Sequence, residues 1–147
     1  MIQKNSPTKA LIYTVIVVLV GTLWLSVLSH ASVSYKEKTK KELRLKRQIQ
    51  FHMLIKEIVK RESGGKHFEC WGDNNTSYGQ FQFQEETFNR YAKKYGMKNA
   101  YWKNKDDQRK LATRMIKDGY GHEWSVYKTA YKKVYGEHPE RGRPIEI

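Results

Sequence analysis

Residues 10–29, ALIYTVIVVLVGTLWLSVLS, contain no charged side chain, and a bilayer-spanning helix needs about 20 such residues. A run that is apolar on every face is not the one-sided surface of a small domain. The folded unit must therefore come from the residues C-terminal to it, which leaves room for one domain of about a hundred residues. Lys4 and Lys9 precede the run, so it reads as a signal-anchor behind a short cytoplasmic N-terminus, residues 1–9. Small residues in Ser29-His30-Ala31 also fit a cleavage site, and secretion after Ala31 is the alternative.

Orientation carries a conflict. Lys4 and Lys9 stand before the run, whereas Lys36, Lys38, Lys40, Lys41, Arg44, Lys46 and Arg47 come after it. Counted alone, these charges place the C-terminal part in the cytoplasm. The opposite orientation, with the C-terminal part outside, runs against this count.

The formal charge of +13 is unevenly spread. Residues 36–61 hold ten Lys and Arg against three acids, net +7, and residues 62–147 hold sixteen against twelve, net +4. Most of the excess thus lies on the stretch that follows the apolar run, whose first part, residues 30–48, reads as a basic helical stalk. Such a stretch is a solvated helix face, or it meets anionic headgroups or an anionic polymer. Cys70 is the single cysteine, which excludes an internal disulfide framework and a multi-cysteine zinc site.

After the apolar run the chain reads as one long helix without Gly or Pro. Leu45, Ile49, Ile55, Ile58 and Val59 fall near one stripe, with Leu54 beside them, and Ser63-Gly64-Gly65 ends the helix. Turn formers fill 66–84, where YGQFQFQ alternates aromatics with amides, as an extended loop or short strand does. Further helices are expected over about 85–95, about 105–118 behind an Asn104 cap, and about 123–135. The reading is a mostly α protein: a compact domain over 49–136 with one irregular or short-strand segment, then a flexible tail, 137–147.

The residues around the end of the long helix form a pattern. Glu62-Ser63-Gly64-Gly65 closes the helix, Asp73-Asn74-Asn75 lies in the next loop, YGQFQF at 78–83 supplies Gly79 and Gln82, and Thr87 comes next. This pattern resembles the core of the lysozyme-like superfamily, nearest to soluble lytic transglycosylases and resuscitation-promoting-factor-type cell-wall enzymes, over roughly residues 50–130. The resemblance implies a lysozyme-like α+β fold and a peptidoglycan substrate, cut between N-acetylmuramic acid and N-acetylglucosamine. It implies Glu62 as sole acid and base, an anhydro product and no cofactor. Ser63 and Gln82 take hydrogen-bonding roles around the muramoyl sugar, and Tyr78 and Thr87 line the same cleft. Trp124, in the loop leading into the last helix, offers a flat face to a sugar ring or packs in the core. The chain departs from the family in one element: Ala-Tyr-Asn-Ala-Gly is absent, and GYGHEWSVY at 119–127 occupies its approximate place.

The chemistry agrees with the resemblance. An acid that protonates a glycosidic oxygen must keep its proton near neutral pH. The unpaired carbonyls of a helix C-terminus disfavour a carboxylate there, and burial against Phe81 or Trp71 acts in the same direction. Lys60 and Arg61 oppose this only if they face the acid. The ordinary role of such a residue is a solvent-facing helix end. A hydrolase needs a second carboxylate, for which Asp73 and Glu69 are the candidates. The competing readings are a glycan-binding module without activity and a membrane-attached nucleic-acid binder. The latter is disfavoured by the mild charge of the globular part. His52, His67, His122 and His138 stand at no metal-ligand spacing, and no phosphate-cradling glycine loop is present.

Overall fold

A computed structural model of the 147-residue chain describes the backbone from residue 7 onward and the side chains of residues 18–24 and 35–147. The chain divides into two units, residues 1–44 and 45–147. In the first, the backbone from Pro7 belongs to helix α1, Pro7–Ser63, and residues 35–44 are exposed on all sides. Among the described residues no helix is long and apolar enough to cross a membrane. Of the apolar run only residues 18–24 have described side chains, so the anchor at 10–29 and a cleavage site at Ala31 lie largely outside the described residues.

The second unit is mostly helical with a small sheet. After the end of α1 come strands β1 (Trp71–Gly72), β2 (Ser77–Tyr78) and β3 (Phe83–Gln84), then α2 (Glu85–Lys94), α3 (Lys105–Lys117), a 3-10 turn (Tyr120–Glu123) and α4 (Tyr127–Tyr135). The strands form an antiparallel meander in the order β1-β2-β3, pairing Trp71 with Tyr78 and Tyr78 with Phe83. The segment expected to be irregular or strand-like is this minimal sheet with its turns.

Helix α1 enters the core through Phe51, Leu54, Ile55, Ile58 and Val59, spaced three and four apart as one helix face requires. Leu45 and Ile49 were expected on that stripe, but they are 56% and 52% exposed. At about 100° per residue Leu45 lies on the flank of the helix and Ile49 on its far side, and Phe51 takes the inward place. Against this face pack Phe81, Phe83, Phe88, Leu111, Met115, Ile116, Trp124 and Ala130. Asn104 caps α3 by accepting from the N–H groups of Asp106 and Asp107 at 2.9 and 3.0 Å.

Two boundaries differ from the sequence expectation. Helix α4 starts at Tyr127 rather than about 123, because Trp124 is extended (φ −102°, ψ 124°) and its indole N–H donates to the Phe81 carbonyl at 2.9 Å. A tertiary bond there overrides local helix preference. The tail also differs, since Ile145 and Ile147 pack against the core. The Ile145 N–H donates to the Lys117 carbonyl at 2.8 Å, supplying a partner that the end of a helix lacks.

Side-chain amides tie the loop to the helices. Gln108, fully buried, donates to the carbonyls of Tyr78 and Trp102 at 2.8 and 2.7 Å and accepts from the Phe81 N–H at 3.4 Å. Gln80 donates to the Lys105 carbonyl at 2.7 Å, and its backbone N–H donates to His67 Nδ1 at 3.2 Å. Because Nδ1 accepts, Nε2 carries the ring proton and donates to the Lys103 carbonyl at 3.0 Å. Replacing Gln108 by Met keeps its length and strands three buried backbone groups. Each such group costs roughly 1–3 kcal/mol, so Gln108→Met is expected to lower stability by about 3 kcal/mol or more in urea unfolding.

Candidate functional site

Glu62 continues the inward face of α1, four residues beyond Ile58. The core register therefore turns this carboxylate toward the domain, where it is half-buried. Gly64 and Gly65 come next at φ +64° and +86° and return their N–H groups to the carbonyls of Lys60 and Val59 at 3.0 and 3.3 Å. An added Cβ would meet nothing at either glycine, so it is the left-handed backbone that requires them. The Ser63 hydroxyl lies 3.0 Å from the Val59 carbonyl and 3.1 Å from that of Gln80, pinning the helix end to the loop.

Glu62 opens onto a cleft of about 250 Å³ whose other walls are Asp73, Gln82, Phe83, Gln84, Thr87, Glu123, Trp124 and Ser125. No Lys, Arg or His lines it, in a protein of net charge +13. A second hollow, about 320 Å³, lies beside the tail against Tyr127, Tyr131 and Tyr135. Its arginines are already paired, Arg47 with Glu146 at 3.3 Å and Arg143 with Glu140 at 3.2 Å.

Burial pushes the Glu62 carboxyl above its ordinary range, and the negative charge of Asp73 pushes it further. The basic neighbours do not oppose this. Arg61 Nε donates to Glu57 at 2.9 Å, the other Glu57 oxygen takes Lys133 Nζ at 2.8 Å, and Lys60 is exposed.

Asp73 reaches the cleft from an unusual turn. Asp73, Asn74 and Asn75 are all left-handed, at φ 47°, 57° and 71°, a region that Asp and Asn tolerate better than other non-glycine residues. Thr76 Oγ1 donates to the Asp73 carbonyl at 2.7 Å. The main chain thus holds the turn and the Asp73 carboxylate is left to the cleft.

Of the residues expected to contact substrate, Gln82, Thr87 and Trp124 line the cleft with Glu62, whereas Ser63 and Tyr78 lie outside its lining. Tyr78 packs edge-on to Trp71 and Trp102, with ring centroids 4.9 and 5.9 Å apart. Gln82 lines the wall, but its amide is engaged internally. It donates to the carbonyls of Cys70 and Gly79 at 3.1 and 2.8 Å and accepts from Ser77 Oγ at 2.8 Å. It also lies against Gly72, where a Cβ would sit 2.1 Å from its oxygen. Gln82 holds φ 49°, a backbone cost of roughly 1–2 kcal/mol that these three bonds offset.

Glu123 and Ser125 were not singled out from the sequence. Glu123 Oε1 accepts from the Tyr91 hydroxyl at 2.5 Å, and Arg90 lies 3.8 Å from Oε2. The Tyr91 hydroxyl is pushed up to about 12, first by burial and then by this bond, so it stays a donor. The only available signal was position: Glu123 lies in GYGHEWSVY at 119–127. Among the described residues no group of three or more His, Cys, Asp or Glu is placed to hold a metal ion.

Comparison with family models, with curated proteins and with solved structures gives no match to this chain.

Glu62 supports two tests. Its carboxyl binds the proton more tightly when folded than when unfolded, so stability is lost as pH rises through and above the ordinary carboxylate range. Glu62→Gln removes that loss and is expected to be more stable than wild type at neutral pH, with the gap closing below about pH 4 in chemical unfolding. Asp73→Asn keeps a residue suited to left-handed φ while deleting the charge. It is expected to move the Glu62 titration, measured by carboxyl carbon NMR, toward lower pH.

Proposed function

We propose that residues 45–147 form a peptidoglycan-cleaving domain of lytic transglycosylase type, with a lysozyme-like fold, tethered to the membrane through residues 10–29. The observation that carries this reading is a half-buried acid with a raised carboxyl at a cleft that has no basic side chain. A phosphate-bearing substrate is disfavoured by such a lining, because nucleic-acid sites concentrate Lys and Arg. A glycan fits it: Gln84, Thr87 and Ser125 offer hydrogen bonds, and the largely buried Phe83 and Trp124 contribute an apolar edge to the wall. The order of elements, an acid-terminated helix, then a small antiparallel sheet and further helices, also suits the lysozyme-like resemblance.

In this mechanism protonated Glu62 gives its hydrogen to the oxygen bridging N-acetylmuramic acid and N-acetylglucosamine, and the bond from the anomeric carbon to that oxygen breaks. The carboxylate so formed takes the proton of the muramoyl 6-hydroxyl as that oxygen bonds to the anomeric carbon. No water is consumed, and Glu62 ends protonated for the next turnover. Asp73 supports a second outcome. As a second carboxylate on the same cleft it matches what a hydrolase requires, and hydrolysis consumes one water.

Peptidoglycan lies outside the membrane, so this reading puts the cleft on the outer side, against the distribution of basic residues around residues 10–29. Protease added to intact cells is then expected to degrade the domain, and protection would overturn that orientation. For the reaction itself, Glu62→Gln is expected to reduce release of sugars from purified sacculi by at least about a thousandfold, the scale of losing an essential general acid. Mass spectrometry of the wild-type products separates the two outcomes, since the anhydro sugar is lighter by one water. Undiminished release by Glu62→Gln would defeat the enzymatic reading.

A further inference from the structure

Glu123 is a carboxylate on the cleft wall formed by the 3-10 turn and the residues after it, separate from the α1 terminus that carries Glu62. It is fixed from behind. Tyr91, a buried residue of α2, donates to Oε1 at 2.5 Å, and Arg90 of the same helix stands 3.8 Å from Oε2. A carboxylate has about four acceptor positions on its two oxygens, and these contacts leave some of them free. The adjoining residues set the character of the wall. Trp124 is next in the chain and nearly buried, with its indole N–H tied to the Phe81 carbonyl at 2.9 Å, so the segment that bears Glu123 is anchored on both sides. Ser125 and Thr87 add hydroxyls and Gln84 adds an amide.

We propose that Glu123 is a substrate-anchoring residue, accepting hydrogen bonds from the hydroxyl or amide N–H groups of the sugar that lies against Trp124. This rests on the glycan-cleaving function and deepens it. The ligand it selects is a neutral hexose or N-acetylhexosamine unit presenting donors toward Glu123, since an anionic group would be repelled there. Glu123 does not move the reacting proton. It holds the ring in register with Glu62, and Tyr91 and Arg90 hold Glu123.

The test separates binding from cleavage. Full-chain Glu62→Gln protein in detergent is titrated with N-acetylglucosamine tetrasaccharide, monitored by tryptophan fluorescence, and compared with the Glu62→Gln/Glu123→Ala double variant. Hydrogen bonds to a charged acceptor are strong enough that the double variant is expected to bind about ten- to hundredfold more weakly. In otherwise wild-type protein, Glu123→Ala should raise KM by a similar factor while the pH dependence governed by Glu62 stays in place. Tyr91→Phe, which leaves the carboxylate present but untethered, is expected to fall between wild type and Glu123→Ala. Equal affinity in the single and double variants would overturn the assignment while leaving Glu62 as the acid. A Glu62→Gln protein that binds no tetrasaccharide would overturn it together with the glycan reading.

Discussion

The buried amide of Gln108 is the interaction on which the site depends. Between Ser63 and Glu85 the chain makes only three two-residue strands, and it contains left-handed residues at Gly64, Gly65, Glu69, Asp73, Asn74, Asn75, Gly79 and Gln82. So little regular structure cannot satisfy its own backbone, and buried N–H and carbonyl groups must find partners elsewhere. Gln108 supplies three of them from α3, while Gln80 and His67 tie the same segment to residues 103 and 105. The position of Asp73 and Gln82 relative to Glu62 is thereby set by α3, an element that contributes nothing to the cleft lining itself.

Charge is distributed in a way that separates two tasks. Basic side chains dominate the exposed helix at 36–47, whereas the cleft carries Glu62, Asp73 and Glu123 without a base. An anionic polymer attracted to the first region is not attracted to the second. The proposed glycan substrate is compatible with this arrangement, because sugars are recognised by hydrogen bonds and ring faces rather than by charge. The basic helix remains available for anionic surfaces nearby. Within the domain, Glu57 pairs with Arg61 and Lys133, so the arginine adjacent to Glu62 in sequence is engaged elsewhere.

The helices were legible in the sequence because their signals are local. Asn104 caps α3 as its type and position predict, and Phe88, Tyr91 and Ala92 mark the inward face of α2. The stripe on α1 was legible only in part, since Leu45 and Ile49 are apolar residues at a place the core does not reach. Glu62 was singled out because an acid, two glycines and a downstream Gly-x-x-Gln form a pattern, and it lines a cleft in the fold. Ser63, Tyr78 and the Gln82 amide were read as substrate contacts from type and spacing, which do not reveal that their polar atoms or rings are used within the fold. Glu123 was illegible for the opposite reason. Its placement is defined by Tyr91 and Arg90, some thirty residues earlier in the chain, and no local pattern records such a pairing.

The site also costs the domain stability, and the costs fall together. A carboxylate half-removed from water and facing another negative charge destabilises the folded state at neutral pH. Gln82 holds a left-handed backbone that its side-chain type disfavours. Three further left-handed residues bring Asp73 to the same cleft. Strain and unfavourable charge are thus gathered at one concavity and maintained by a buried hydrogen-bond network, and that concentration is the physical argument for the proposed site.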